Sequence, residues 1–390
     1  MNYLFTTARI ITVAMFFTVI FVCFGDQALK KESSETSIPV VRVSPEGSFC
    51  SIGSCDVSPE SPDGTKIVYT KWDPVPTSSK GGSGSIWYCN RDLTGHTKII
   101  DFKSITIHNG AAAAWVDNNR IQMRGLDYNG VRGAAVVNIN GAVEFGPYTG
   151  KEVLHDSVNG KVLLNPIGGV ESKLGEGIFI LDCTTKEIKK ICDINYFKNY
   201  ASKMPEESDP SAWGITHPTL SKDGTYIAVC LQNRPGANFR EYLFSFDTNF
   251  KDVVFFGKKP MHFNWYDDHS SIYGNDRAAK GELYNSIRRW TRDGKWIENL
   301  ASAPSTHNAM SPDKKLFAGE SNYMLPVTDL YIHKRNEGSI KIMSHSFKNV
   351  TWDMRAHVNP AFSRDGKRLY FNRATSDAMN EVWYTDLSGL

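Results

Sequence analysis

The sequence predicts an all-β protein, a seven-bladed β-propeller of four-stranded antiparallel blades. Three observations predict it. A strand–turn–strand unit recurs along the chain, further strands follow in most copies, and the last copy lacks an outer strand that an isolated one near residue 40 supplies. The composition agrees, with 12% aromatic residues and many short Gly, Asp and Asn turns. The 390 residues carry 44 basic and 42 acidic side chains, so no basic field argues for a nucleic-acid partner.

The repeat begins with CDVSPESPDGTKIVYT, in which Cys55 opens the unit. The six later copies open on His108, His155, His217, His262, His307 and His357, at intervals of roughly 45 to 60 residues, the length of one propeller blade. Each reads as a short strand, a tight Asp-Gly or Asn-type turn, and an alternating apolar strand such as Lys66-Ile67-Val68-Tyr69. Third strands follow as SIWYCN, GAAVVNI, GIFILD, EYLFSFD, DLYIHK and EVWYTD. Weaker fourth strands follow as HTKIID, AVEFG, IKKICD, KDVVFFG and SIKIMS. The last unit ends at EVWYTDLSGL, and IPVVRVS at 38–44 is placed to complete it, which removes two exposed sheet edges.

Ahead of this domain (38–390), Arg9 and the run IITVAMFFTVIFVCFG read residues 1–25 as an export signal, with a retained membrane anchor as the alternative. Cys23 follows Val22 rather than a small residue, which argues against lipidation without closing it. Residues 26–37 read as a disordered tether. The expected location is periplasmic or secreted, and the expected state monomeric. In an oxidising compartment Cys183 with Cys192, and Cys50 with Cys55, are candidates for local disulfides; the alternative is six reduced, buried thiols.

In a meander blade the innermost strand starts on the face opposite the Asp-Gly turns. Six in-phase histidines therefore converge at one mouth of the channel, where long, irregular insertions such as KWDPVPTSSKGGSGS, DINYFKNYASKMPEESDPSAWG, QNRPGANFR and NDRAAKGE also collect. Neutral imidazoles suit metal ligation and proton transfer, and crowding keeps them neutral. The alternative is that duplication copied the residue for packing. His96, His269, His333 and His345 fall outside the phase.

The units HPTLSKDG and HVNPAFSRDGKRLYF resemble TolB-type propeller repeats, and the histidine phasing is similar to that of the oligogalacturonate lyase family and, more loosely, of propeller-fold ulvan lyases. The resemblance spans about residues 38–390. It implies a divalent ion, usually manganese, with zinc or calcium as alternatives, held by histidines and a glutamine on the late blades. By position His307 and His357 would be metal ligands and His262 the base, with His217 and His108 as further candidates. This chain departs from the family at Asn359, which stands where a second histidine ligand is expected, and at Met354, near the glutamine position. Arg355 suits a uronate carboxylate directly or, alternatively, a surface ion pair.

The implied activity is a carbon–oxygen lyase reaction on an acidic oligo- or polysaccharide. The carboxylate is neutralised, a histidine removes the C5 proton, and β-elimination follows. Tyr266 would protonate the leaving group. Trp265 would stack on a sugar ring and His155 would contact substrate, although Tyr266 and Trp265 also suit the blade core. The competing readings are a non-catalytic TolB-like propeller binding a protein or glycan at this mouth, and a hydrolase or metal sensor. No nucleophile elbow, P-loop or dinucleotide fingerprint is present.

Overall fold

The computed structural model describes residues 38–78, 80–108, 110–167, 170–201, 203, 213–233, 241–258, 260–276, 286–301, 305–321, 327–346, 357–376 and 379–390. The export segment, Cys23 and the tether lie outside them. Among the described residues no helix is long and apolar enough to cross a membrane.

Seven antiparallel sheets of four strands each make the propeller. Six are consecutive meanders, beginning with Phe49–Ser51, Lys66–Trp72, Gly82–Asn90 and Thr97–Ile105 as blade 1. The seventh contains Ala361–Phe362, Arg368–Ser376 and Met379–Asp386. Its outer strand is Val40–Arg42, paired antiparallel with Val40 opposite Thr385. The strand expected at 38–44 therefore closes the ring, and Val43 N–H donates to Val382 O at 2.8 Å just past it.

Each blade buries apolar side chains against its neighbours, because alternate residues of a strand face opposite sides of its sheet. Trp72, Ile86 and Phe102 of blade 1 pack with Trp115, Ile121 and Met123 of blade 2 in one such layer. The Asp-Gly turns are fixed by a repeated serine. Ser61, Ser221, Ser311 and Ser363 each donate Oγ–H to the aspartate two residues on, at 2.5–2.7 Å. The same oxygens accept the backbone N–H of Lys66, Tyr226, Leu316 and Arg368, so the turn meets its own hydrogen-bonding demand.

Two expectations change. All six described cysteines are free and buried, so neither local disulfide forms. Cys183 faces the layer shared with blade 2, whereas Cys192 faces the layer on the other side, so the pair points into different cores. The insertion DINYFKNY was expected to be irregular, but Ile194–Ala201 is an α-helix. Asp193 accepts the Asn195 N–H at its start, and Ile194, Phe197 and Ala201 form a buried stripe. Phe197 meets Phe244 of blade 4 at a 5.3 Å centroid separation. Blade 5 also has third and fourth strands, Ile287–Thr291 and Trp296–Ala301, that its sequence did not announce.

Candidate functional site

The strand starts do converge. His108, His155, His217, His262 and His307 line one cavity of about 50 Å³ together with Cys55 and Asp56, which come from the first copy of the repeat. His357 closes the cluster. Its ring centroid lies 4.1 Å from that of His108 and 4.5 Å from that of His307, while His262 and His307 are 4.1 Å apart. His155 and His217 form a looser pair at 6.2 Å.

Local backbone geometry aims some of these rings. His217 and His262 have φ of 50° and 45°, in the left-handed region, and the pairing of their strands shifts register at these positions. A non-glycine residue there costs about 1 kcal/mol, so two imidazoles are held by bulges that regular strands would not form.

Hydrogen bonding sets the proton positions. His262 Nδ1 contacts the Thr306 carbonyl oxygen. A carbonyl only accepts, so Nδ1 carries the hydrogen and Nε2 carries the lone pair. His307 is spent on both sides, with Nδ1 against Glu320 Oε1 and Nε2 2.9 Å from His357 Nδ1. Glu320 is fully buried and also accepts from Thr306 Oγ1 at 3.0 Å and Val358 N–H at 3.2 Å. Burial pushes the Glu320 carboxyl above its ordinary range. It pushes His307 and His357 below theirs, with neighbouring imidazoles adding to the effect, and His108 follows for the same reason with Arg124 contributing.

Several of these partners were not singled out in the sequence. Arg124, Asn275, Glu320 and Asn372 each stand two residues beyond the cross-strand partner of Ala114, Asn264, Ala309 and Ala361 respectively. They are therefore equivalent positions of blades 2, 5, 6 and 7, a polar ending to an otherwise apolar second strand. Asn275 donates to Thr306 O, Asn372 donates to His357 O, and Arg124 donates Nε–H to Gly110 O at 3.0 Å. A second phase in the repeat was the signal. Asp56, at φ 58°, accepts from Tyr273 OH and Asn264 Nδ2, each at 2.5 Å, and from Met310 N–H.

Other candidates stand elsewhere. Trp265 is wholly buried and donates its indole N–H to Thr219 O, which places it in the core. Tyr266 lines a cavity at the Asp-Gly turn end, its hydroxyl accepting from Arg335 and its ring faced by Arg289 and Lys314 at 4.1 and 4.8 Å. Asn359 is buried and turned to Gly53 O at 2.8 Å. Arg355 and Met354 lie outside the described residues.

The implied metal set is not reproduced. Both ring nitrogens of His307 are engaged, and the Asn359 amide is turned to the Gly53 carbonyl. Among the described residues no group of three or more His, Cys, Asp or Glu is arranged to hold a metal ion.

No protein-family model matches the chain, and no curated protein matches it. Solved structures do. An oligogalacturonate lyase from Vibrio parahaemolyticus superposes with a TM-score of 0.63 at 13% identity, covering 91% of this chain and 95% of that one. An oligogalacturonate lyase in complex with manganese gives 0.62 at 13% identity, over 91% and 94%. TolB from Acinetobacter baumannii gives 0.40 at 13% identity, over 83% and 64%. At this identity the likeness to the two lyases is one of fold, a seven-bladed propeller matched over nearly its whole length.

Proposed function

We propose that this protein is a lyase of uronate-containing oligo- or polysaccharides that works by β-elimination at the histidine mouth, with His262 as the base. The observation that carries the reading is the Thr306 carbonyl on His262 Nδ1, which leaves Nε2 as a basic nitrogen on a ring lining the cavity. The fold shared with two oligogalacturonate lyases supports the substrate class.

In the proposed step the C5 proton of the uronate passes to His262 Nε2. The C4–O4 bond breaks as the C4=C5 double bond forms, and the departing oxygen takes a proton from water. The C5 proton is only weakly acidic until the carboxylate is neutralised. Manganese accompanies one of the similar lyases, but His307 here is committed to His357 on one side and to Glu320 on the other. The reading therefore gives this role to guanidinium groups: Arg124, which borders His108, and Arg355, two positions before His357 in sequence.

The test is ultraviolet absorbance of the unsaturated product during incubation with pectin fragments, ulvan and other uronic glycans. The expected result is a rise on at least one glycan that EDTA leaves unchanged. A rise that EDTA abolishes removes the guanidinium assignment, and no rise on any glycan leaves the second reading, a non-catalytic propeller that binds a glycan or protein at this mouth.

A further inference from the structure

Asn308 opens the innermost strand of blade 6, directly after His307. Its side chain is 1% exposed and lines the histidine cavity beside His262, Cys55 and Asp56. The amide donates Nδ2–H to the His262 carbonyl oxygen at 3.1 Å. A carbonyl only accepts, so the nitrogen faces blade 5 and the amide oxygen is turned away from it. Among the described residues that oxygen makes no hydrogen bond. The buried amide oxygens of Asn165, Asn275 and Asn380 share this condition, but none of those residues lines the histidine cavity. A buried acceptor without a donor is destabilising, so a guest that brings a donor to Asn308 Oδ1 binds with that cost relieved.

The cavity limits the guest. Its volume of about 50 Å³ admits a few water-sized groups, whereas sites that enclose a whole small molecule run to roughly 300–1,000 Å³. A sugar ring therefore rests against the mouth and sends one substituent inward. Asp56 selects which one. Its carboxylate lines the same wall and is held by neutral groups, Asn264 Nδ2 and Tyr273 OH at 2.5 Å and the Met310 N–H at 3.2 Å. Burial holds His108 and His307 below their ordinary range, so these two imidazoles bring no compensating charge at neutral pH. A uronate carboxylate is repelled from this wall, and a neutral hydroxyl is not. Asp56 also lines the two larger cavities at the Asp-Gly turn end, of about 450 and 420 Å³, where Arg364 pairs with Asp156 at 3.3 Å and Lys222 stands beside them.

We infer that Asn308 is a specificity-determining residue, its Oδ1 accepting a hydrogen bond from one ring hydroxyl of the uronate whose C5 proton His262 removes. The assignment rests on the lyase reading above and deepens it: the sugar is recognised by a hydroxyl inside the cavity, with its carboxylate outside. The same amide holds the backbone of the base, so one side chain sets the hydroxyl and the base relative to each other. A site that commits a buried acceptor to a hydroxyl rejects an analogue lacking it more strongly than an apolar pocket rejects an extra methylene.

The experiment is calorimetric titration into the full chain carrying H262A, which keeps the backbone carbonyl that Asn308 bonds, and into the same chain carrying N308A as well. The ligands are digalacturonate, its analogues with fluorine in place of a single ring hydroxyl, and D-galactosamine. Fluorine keeps the size of the hydroxyl and removes the donor. The expected result is that one analogue binds H262A about tenfold more weakly than digalacturonate, and that N308A brings the two to within about twofold. A merely structural role for Asn308 would weaken all the ligands alike. Equal binding of every analogue to H262A, a difference that survives in N308A shown to be folded by its melting curve, no binding of digalacturonate, or tighter binding of galactosamine overturns the inference. The analogue series in H262A decides the matter even where N308A does not fold. Absence of unsaturated product from the parent chain fails the lyase reading instead, so the two are read apart.

Discussion

The two ends of one channel differ in kind. At the histidine mouth the imidazoles crowd around about 50 Å³, burial holds His108, His307 and His357 below their ordinary range, and His307 and His357 are bonded to each other. At the turn mouth the side chains are charged and spread around cavities of about 450 and 420 Å³. Both ends come from the same repeat. Copying one strand start seven times packs like groups together and forces them neutral, whereas the turn position varies from Pro62 to Lys222 to Arg364 and keeps its charges apart. One repeat thus gives crowded imidazoles at one end and separated charges at the other.

The sharpest test of this contrast is catalytic. H262A is expected to lower elimination by about 10² to 10⁴-fold, the usual contribution of a general base, with K222M near the parent rate. Equal losses in both would erase the distinction between the mouths.

A second test concerns how the histidine mouth is held. E320A removes the acceptor of His307, Thr306 and the Val358 N–H in a sealed site, and should cost about 3 kcal/mol in urea unfolding. A loss below about 0.5 kcal/mol would mean that the chain Glu320–His307–His357 contributes little to the ring.

Acid should weaken the fold through its buried histidines. Burial holds His333 down at about 4, and His307, His357 and His108 below their ordinary value. Depressed bases bind fewer protons folded than unfolded, so their stabilising effect is present above about pH 6.5 and is lost as pH falls toward their folded values. Glu320 runs the other way: its raised carboxyl favours the fold at low pH and loses that advantage as pH rises past neutrality. Melting temperature should therefore fall steadily below about pH 6, and H333N should remove on the order of 3 kcal/mol of the stability lost between neutral pH and about pH 4. The smallest effect belongs to the turns. S221A deletes the acceptor of the Tyr226 N–H and should cost about 1 kcal/mol, measured by the same urea titration.

Much of the fold was legible because the period is written in residues that do physical work. The serine and aspartate of each turn, the alternating apolar strand and the phased histidine all follow from hydrogen bonding and burial local to one blade. The convergence of the histidines was legible for the same reason, since a strand start has one place in a meander. What sequence did not disclose depends on contacts between blades. Tyr266 and Trp265 follow His262 closely, but the pleat turns them to the core and the turn end. Asn359 sits near His357, yet its amide belongs to Gly53 of blade 1. Glu320 and Arg124 end apolar strands, each beside the histidine of its own blade, His307 and His108, and it is the next blade that brings the Val358 N–H and His357 to the Glu320–His307 pair.

Ring closure by Val40–Arg42 has a consequence for how the molecule is made. Thr385 Oγ1 bonds Pro39 O across 346 positions of sequence, so during synthesis Val40–Arg42 must wait, edge unpaired, until Met379–Asp386 has emerged. Six blades can assemble as local hairpins in order of translation, but the clasp is a late, long-range event, and loop-closure entropy makes it the slow one. A nascent chain stalled before residue 379 would hold a nearly complete wheel with its rim open and a sticky edge at each end.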